Sequence, residues 1–421
     1  MSALVASSTE QDRVRELQRT LYRAAKADPK RRFHALYDKV YRRDVLERAW
    51  GQVRANRGAA GSDRITIEQV EQYGVERLLE QLAADLRAGS YRPLPARRVF
   101  IPKPGSAEQR PLSIPAVCDR IVQAATRIVI EPIFEADFLP CSFGFRPKKS
   151  QHDALQVVID QAYRGRRWLV ESDVDSCFES IPHDAVRHAV TGTPQGGVVS
   201  PLLCNVYLHR LDRVWQTRGR GVLVRFADDL LVLCRTRQEA EAALVALRAI
   251  LAELGLELKE RKTRIVQLRE GGEGVDFLGF QHRYVRARSR RFRHITFLAR
   301  WPSHRAMQQA RTRMRALTGR ERLLLPVDEV VQDLNAYLRG WAGYFRYGNS
   351  APHFNLIRNY ALDRLALFVA KRHQRTRSYG WWAVAYQPGQ LGLIDLAGSV
   401  VAPRPHKPWR EQPNAGGEGR R

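Results

Sequence analysis

Two adjacent carboxylates, Asp228 and Asp229, stand between the apolar runs Val222-Leu-Val-Arg-Phe226 and Leu230-Leu-Val-Leu233, and a third, Asp173, ends the shorter run Trp168-Leu-Val170. Carboxylate oxygens are the ligands that hard divalent cations prefer. Two such cations held a few ångströms apart can activate a hydroxyl and neutralise a triphosphate with its leaving group. An Asp-Asp pair in a turn is more often a solvated turn than a metal site, and taken alone the pair here reads that way. Its position between two runs patterned for burial, together with companion motifs in order along the chain and Asp173 as a natural third ligand, favours the metal site. On a regular strand adjacent side chains face opposite ways, so the pair serves one site only if a turn redirects it.

The elements that must position these residues are legible around them. Two apolar runs separated by Ala227-Asp228-Asp229 predict a β-hairpin with carboxylates at its turn. Thr236 with Glu239 predicts a capping box opening a helix through Leu244, Leu247, Leu251 and Leu254 that stops at Gly255. Short strands follow at Leu256–Leu258 and Thr263–Val266, so the unit is strands on helices, an α+β layer. Upstream, Val14, Leu17, Leu21 and Ala25 at helical spacing among Arg and Glu predict an amphipathic basic helix over 12–26. Residues 33–90 read as helical pieces broken at Asn56-Arg57-Gly58 and Gly61-Ser62-Asp63. Strands and loops are expected from Tyr91 to Leu112, then a helix over Asp119–Phe134. Residues 303–375 read as mainly helical, and the tail after Val401 as loose.

Composition sets the partner class. The 421 residues carry 70 Lys+Arg against 44 Asp+Glu, a net charge of +26, with 44% hydrophobic residues, enough for a real core. A folded surface with that field concentrates polyanions. The five cysteines, Cys118, Cys141, Cys177, Cys204 and Cys234, form no Cys-x-x-Cys pair, which argues against zinc and against a disulfide framework. The start of the chain lacks the pattern of a signal peptide and no apolar run approaches a membrane span, so a cytoplasmic setting without a membrane partner is expected.

Phe226-Ala-Asp-Asp229 resembles the Tyr/Phe-x-Asp-Asp box of reverse transcriptases, and its companions are more specific. Ile101-Pro-Lys-Pro-Gly105, Gln109-Arg-Pro-Leu-Ser-Ile-Pro115 and Ser142-Phe-Gly-Phe-Arg-Pro147 with His152-Asp-Ala154 resemble fingers motifs of group II intron reverse transcriptases. Thr193-Pro-Gln-Gly-Gly-Val-Val-Ser-Pro-Leu202 is similar to their palm motif. Gly255-Leu-Glu-Leu with Lys262-Thr263, Phe277-Leu-Gly-Phe280 and Tyr337-Leu-Arg-Gly-Trp-Ala-Gly-Tyr-Phe345 continue the series into the thumb. The similarity runs in the family's order from about residue 33 to about residue 385.

The resemblance implies right-hand polymerase fingers and palm, followed by an α-helical thumb/maturase domain. Its boundaries are a basic helical N-terminal extension over 1–65, fingers/palm over 66–285, thumb/maturase over 286–390 and a flexible basic tail over 391–421. It implies an RNA-directed DNA polymerase and splicing cofactor that uses two Mg²⁺ ions on Asp173, Asp228 and Asp229. The implied partners are intron RNA, an RNA template with a DNA primer, and deoxynucleoside triphosphates. Lys103, Arg110, Gln195, Gly196 and Lys262 take nucleotide-binding positions, and Phe178, or Cys177 beside it, takes that of a sugar gate. Arg146, Arg288, Arg290, Arg291, Arg293, Arg339, Lys371 and Arg372 are nucleic-acid contacts, with Trp341, Tyr344, Tyr347, Trp381 and Trp382 as stacking aromatics. For each tryptophan singly, a core role is the more frequent one.

Two departures stand out. The family separates its first Asp motif from the Pro-Gln-Gly-Gly motif by a substantial helical segment, whereas here Ile181-Pro-His-Asp184 runs through Val190 almost directly into Thr193. That shortening raises the alternative of a catalytically inactive RNA-binding maturase or remnant. No endonuclease motif follows residue 385, so target-DNA cleavage is not expected.

Overall fold

The computed structural model describes residues 2–102, 109–175, 177, 181, 196–287, 290–386 and 388–401. Lys103, Phe178, Gln195, Arg288, the shortened stretch 182–193 and most of the tail lie outside the described residues. Among the rest the architecture is α+β, as the sequence predicts.

Helix α1 (Ser2–Ala27), α2 (Tyr37–Val40), α3 (Arg43–Ala55), α4 (Ile67–Tyr73) and α5 (Val75–Ala88) precede a two-stranded antiparallel ribbon of β1 (Arg97–Pro102) and β2 (Gln109–Ile114). Then come α6 (Val117–Glu135), α7 (Gln151–Tyr163) and β3 (Trp168–Asp173). Further on lie α8 (Ser200–Arg218), the hairpin β4 (Val222–Phe226) and β5 (Asp229–Cys234), α9 (Arg237–Glu253) and β6 (Arg264–Gln267). Strands β3 to β6 form one sheet in the order β4-β5-β3-β6. The chain ends in β7 (Val275–Phe277), β8 (Phe280–Arg286), β9 (Thr296–Pro302) and helices α10 (His304–Leu317), α11 (Val327–Phe345), α12 (Ala351–Arg372) and α13 (Arg377–Ala385).

The chain divides into two compact units. The first comprises Met1–Ala154, Val170–Val232 and Gln238–Arg264; the second comprises Leu155–Leu169, Leu233–Arg237 and Ile265–Arg421. In the first, Val14 and Leu21 of α1 are buried with Val45, Leu46, Ala49 and Val53 of α3 and with Ile121, Ala124, Ala125 and Ile128 of α6. This is the apolar stripe that the helical spacing predicts. The hairpin strands are buried along nearly their whole length, Leu223 to Arg225 and Leu230 to Cys234. Unbroken apolar runs, rather than alternation, are what such strands require.

In the second unit β7-β8-β9 form a three-stranded antiparallel sheet that the sequence reading does not anticipate. Its pattern is the period-2 alternation of a half-buried strand: Phe280, His282 and Tyr284 are buried, while Gln281, Arg283 and Val285 between them are partly exposed. Tyr284 is therefore core, capped at 4.7 Å by the Arg167 guanidinium. Trp341 is likewise core, its ring centroid 4.9 Å from that of Phe345 and 5.1 Å from that of Phe354. Trp382 and Tyr347 remain exposed.

Candidate active site

Asp173 is the last residue of β3, and the turn Ala227-Asp228 links β4 to β5. The two are tied by backbone: the Val174 amide donates to the Asp228 carbonyl at 3.1 Å. Ala227 takes the left-handed conformation at φ +58°. A two-residue hairpin loop demands positive φ to match the strand twist, and a residue with a Cβ adopts it under strain. This is the redirection that two consecutive carboxylates need to serve one site.

Neighbouring chain closes on the turn from two sides. The stretch 141–144 runs beside β4, with the Arg225 amide donating to the Cys141 carbonyl at 2.8 Å and the Phe143 amide donating to the Arg225 carbonyl at 2.9 Å. Only glycine fits at 144, since a Cβ there would lie 2.4 Å from the Ala227 nitrogen. On the other side, residues 257–263 follow the end of β3. The Lys259 amide donates to the Asp173 carbonyl at 2.8 Å, the Asp175 amide donates to the Glu257 carbonyl at 2.9 Å, and the Ser172 and Thr263 hydroxyls meet at 2.7 Å. That register brings the Lys262 ammonium onto Oδ2 of Asp173.

The electrostatics are those of crowded acids. Asp173 is buried, and its Oδ1 has no hydrogen-bond partner among the described residues. Burial, then the charge of Asp173, raises the pKa of Asp228. Burial, then Asp173 and Asp228, pushes Asp229 up to about 7, against the opposing pull of Lys262. Burial alone would lower the Lys262 ammonium, but the hydrogen bond and charge of Asp173 outweigh it and hold it above its ordinary value.

A buried carboxylate oxygen without a donor, beside two acids that resist ionising together, fits a bound cation better than it fits isolated acids. The residues able to hold it are Asp173, Asp228 and Asp229. Among the described residues no three His, Cys, Asp or Glu side chains are already closed around one point. Asp173 instead rests on Lys262.

The other expected nucleotide contacts divide. Arg110, exposed on β2, is close enough for its charge to lower the Asp228 pKa against burial. Gly196, at φ +112°, passes so near β2 that a Cβ would lie 2.4 Å from the Ser113 carbonyl oxygen. The glycine is thus demanded by a protein neighbour. Cys177 is buried, its sulfur 3.6 Å from that of Cys204.

Among the expected nucleic-acid contacts, Arg290, Arg291, Arg293, Arg339 and Lys371 are exposed. One Arg372 nitrogen donates to the Leu323 and Leu325 carbonyls. Arg146 is a correction. It is buried, paired with Glu135 at 2.6 Å and donating to the Leu139 and Ser142 carbonyls at 2.6 and 2.8 Å. A guanidinium spent on internal acceptors is an internal strut and has nothing left for a phosphate.

Sequence reasoning passed over Arg225 and Asp212. Both are fully buried and joined by two hydrogen bonds, of 2.8 and 2.6 Å. The signal was present: an arginine inside the apolar run 222–226 requires a buried partner.

Comparison with known proteins agrees with this geometry. Residues 101–191 and 185–282 match the family model described as reverse transcriptase (RNA-dependent DNA polymerase), and residues 307–386 match the group II intron maturase-specific domain. The two polymerase segments meet where the sequence runs short. The class is therefore a reverse transcriptase with a maturase domain behind it.

Protein YkfC of Escherichia coli is 32% identical over 66% of this chain and 90% of its own length. The group II intron-encoded protein LtrA of Lactococcus lactis is 34% identical over 43% of this chain. The chain spans 35% of LtrA's length. A solved telomerase from Candida albicans overlaps 75% of this chain and 68% of its own at 12% identity, with a TM-score of 0.35. This chain belongs to the group II intron-encoded reverse transcriptase/maturase family, a family that works with divalent metal ions.

Proposed function

We propose that this chain extends a DNA primer on an RNA template, transferring nucleotides from deoxynucleoside triphosphates, and that it binds group II intron RNA as a splicing cofactor. The observation that supports the catalytic part is the backbone tie between Val174 and Asp228, which holds Asp173 beside the Asp228-Asp229 turn.

In this reading Asp173, Asp228 and Asp229 hold two Mg²⁺ ions, which when bound activate the primer hydroxyl and neutralise the triphosphate with its leaving group. The protein's own groups do the rest. Oδ1 of Asp173, without a hydrogen-bond partner among the described residues, is a ready acceptor. Lys262 Nζ, held on Asp173, gives a proton to the departing pyrophosphate. The Arg110 fork grips phosphate oxygens, with Lys103 as its companion and Phe178 and Gln195-Gly196 shaping the nucleotide pocket. Exposed Arg290, Arg291, Arg293, Arg339 and Lys371 follow RNA backbone.

The test is extension of oligo(dT) on poly(rA) with dTTP and Mg²⁺. The parent chain makes product, and the Asp228→Ala variant makes none. Extension indifferent to that substitution would defeat the assignment. A second reading, a non-catalytic RNA-binding maturase, rests on the meeting of the two polymerase segments at 185–191. It predicts no extension with any divalent metal, together with salt-sensitive binding of structured intron RNA.

A further inference from the structure

We infer that Arg225, locked to Asp212, is the residue that positions the Asp228-Asp229 turn, so that the geometry of the carboxylates is set from beneath the hairpin by one buried guanidinium. The inference rests on the catalytic reading of those carboxylates.

An arginine and an aspartate with no exposed surface lose all their hydration, and apolar residues of similar volume would serve packing as well or better. Their presence calls for a task that apolar side chains cannot do. The guanidinium is a rigid fork of five N–H donors, and each finds an acceptor. Nε donates to Asp212 Oδ1 at 2.8 Å, and Nη2 donates to Asp212 Oδ2 at 2.6 Å and to the Ser142 hydroxyl at 2.8 Å. Nη1 donates to Asn205 Oδ1 at 2.9 Å and to the Ala227 carbonyl at 3.1 Å.

The last of these is the one that matters. Ala227 is the left-handed residue of the turn, a conformation that persists only where the surroundings over-determine it. Its carbonyl is the peptide link to Asp228. The Ser142 and Asn205 bonds bind the same fork to the stretch that abuts the turn, because the Asn205 side-chain amide also donates to the Gly144 carbonyl at 2.7 Å. One guanidinium thus fixes the strand before the turn, the turn itself and its buttress. Asp212 in turn holds the fork's orientation, and His209 extends the network, its ring 3.9 Å from Asp212 and 3.1 Å from Asp137.

Arg225 touches no reacting atom in this scheme; it acts through Ala227. The experiment must separate positioning from ordinary core stability. The double variant Arg225→Met with Asp212→Leu replaces the pair by apolar bulk, which restores packing without a donor for the Ala227 carbonyl. Arg225→Lys keeps the charge for Asp212 but cannot reach Asp212, Ser142 and Ala227 together. Three readouts are taken on the full chain: melting temperature, hydrogen exchange over residues 222–234, and oligo(dT)/poly(rA) extension with dTTP.

Expected in both variants are faster exchange at the turn and kcat lower by about tenfold or more at nearly unchanged KM for dTTP, since ångström-scale misplacement carries penalties of that order. In the double variant these appear while melting stays near that of the parent. Parent-like turn protection in either variant overturns the inference, as does parent-like kcat. If the parent itself extends no primer, the catalytic reading fails and the exchange measurement alone decides the positioning role. Should the double variant not fold, Arg225→Lys carries the same decision.

Discussion

The Asp228 carbonyl accepts the Val174 amide at 3.1 Å, and this bond across the strand ends holds the acidic turn of one hairpin beside the terminal carboxylate of another strand. Three acids thereby share one neighbourhood, where burial and one another's charge raise the pKa of Asp228 and Asp229.

Metal binding is therefore expected to stabilise the fold. Titrating Mg²⁺ or Mn²⁺ into the metal-free chain should raise its melting temperature, by an amount worth about 2.7 kcal/mol at a hundredfold excess over Kd. Asp229→Asn removes one of the crowded acids, which burial and its two neighbours already push up to about 7. That variant should melt higher than the parent without metal and respond little to added metal. Differential scanning calorimetry with and without chelator measures both. An Asp229→Asn variant as metal-responsive as the parent would remove Asp229 from the ligand set.

Gly144 is expected to admit no side chain. The Cβ of Gly144→Ala would meet backbone, the Ala227 nitrogen at 2.4 Å, so a flexible side chain cannot yield to it. Overpacking of this kind costs roughly 1–3 kcal/mol, and here it also pushes on the turn. Denaturant unfolding should show the loss, and primer extension should fall further than stability alone explains. A variant equal to the parent in both would mean that the turn is not held as described.

How much of this was legible beforehand follows from what each feature depends on. The hairpin, its two carboxylates and the terminal Asp173 were readable because apolar runs and turn residues are local signals. Helices α1 and α6 were readable because their apolar stripe repeats at helical spacing, and the end of α3 because Asn56-Arg57-Gly58 is a turn signal. The sheet β7-β8-β9 was missed because six arginines between residues 283 and 293 mask an alternation carried by Phe280, His282 and Tyr284. Arg146 was misassigned because its motif says nothing of which side faces inward. Its partner Glu135 is eleven residues away on α6, and only the fold shows that they meet. Arg225 and Asp212 pair across thirteen residues for the same reason.

His282 is expected to make the second unit acid-sensitive. It has no exposed surface, neither ring nitrogen has a partner among the described residues, and it pairs across β8 and β9 with Arg300. Burial, then the Arg300 charge, lowers its pKa from 6.5 to about 3. A base whose pKa is depressed on folding binds its proton more readily when unfolded. Its neutral form thus supports the fold fully above pH 6.5, and stability drains as pH falls from there toward 3. The slope approaches about 1.4 kcal/mol per pH unit. His282→Leu should flatten that limb and, by removing two orphaned nitrogens, raise stability at neutral pH. Urea unfolding at pH 5 and pH 7.5 is the measurement; an equal pH dependence in variant and parent rules His282 out as the source.

The arginines separate by what they hold, and RNA binding should reveal it. Arg146→Ala leaves Glu135 half-buried without its partner and strips donors from two interior carbonyls, so a loss of about 3 kcal/mol in stability is expected. Binding of structured RNA by the folded fraction should keep its salt dependence, because that guanidinium has no phosphate to release. Arg290, Arg291 and Arg293 are exposed, and alanine at all three should leave melting within a degree or so. Each phosphate contact removed should lower the slope of log K against log salt by about one. Filter binding from low to moderate salt, run beside thermal melts, distinguishes the two classes. A flattened salt slope for Arg146→Ala with parent-like melting would return that residue to the RNA-facing surface, and an unchanged slope for the triple variant would remove the segment 290–293 from it.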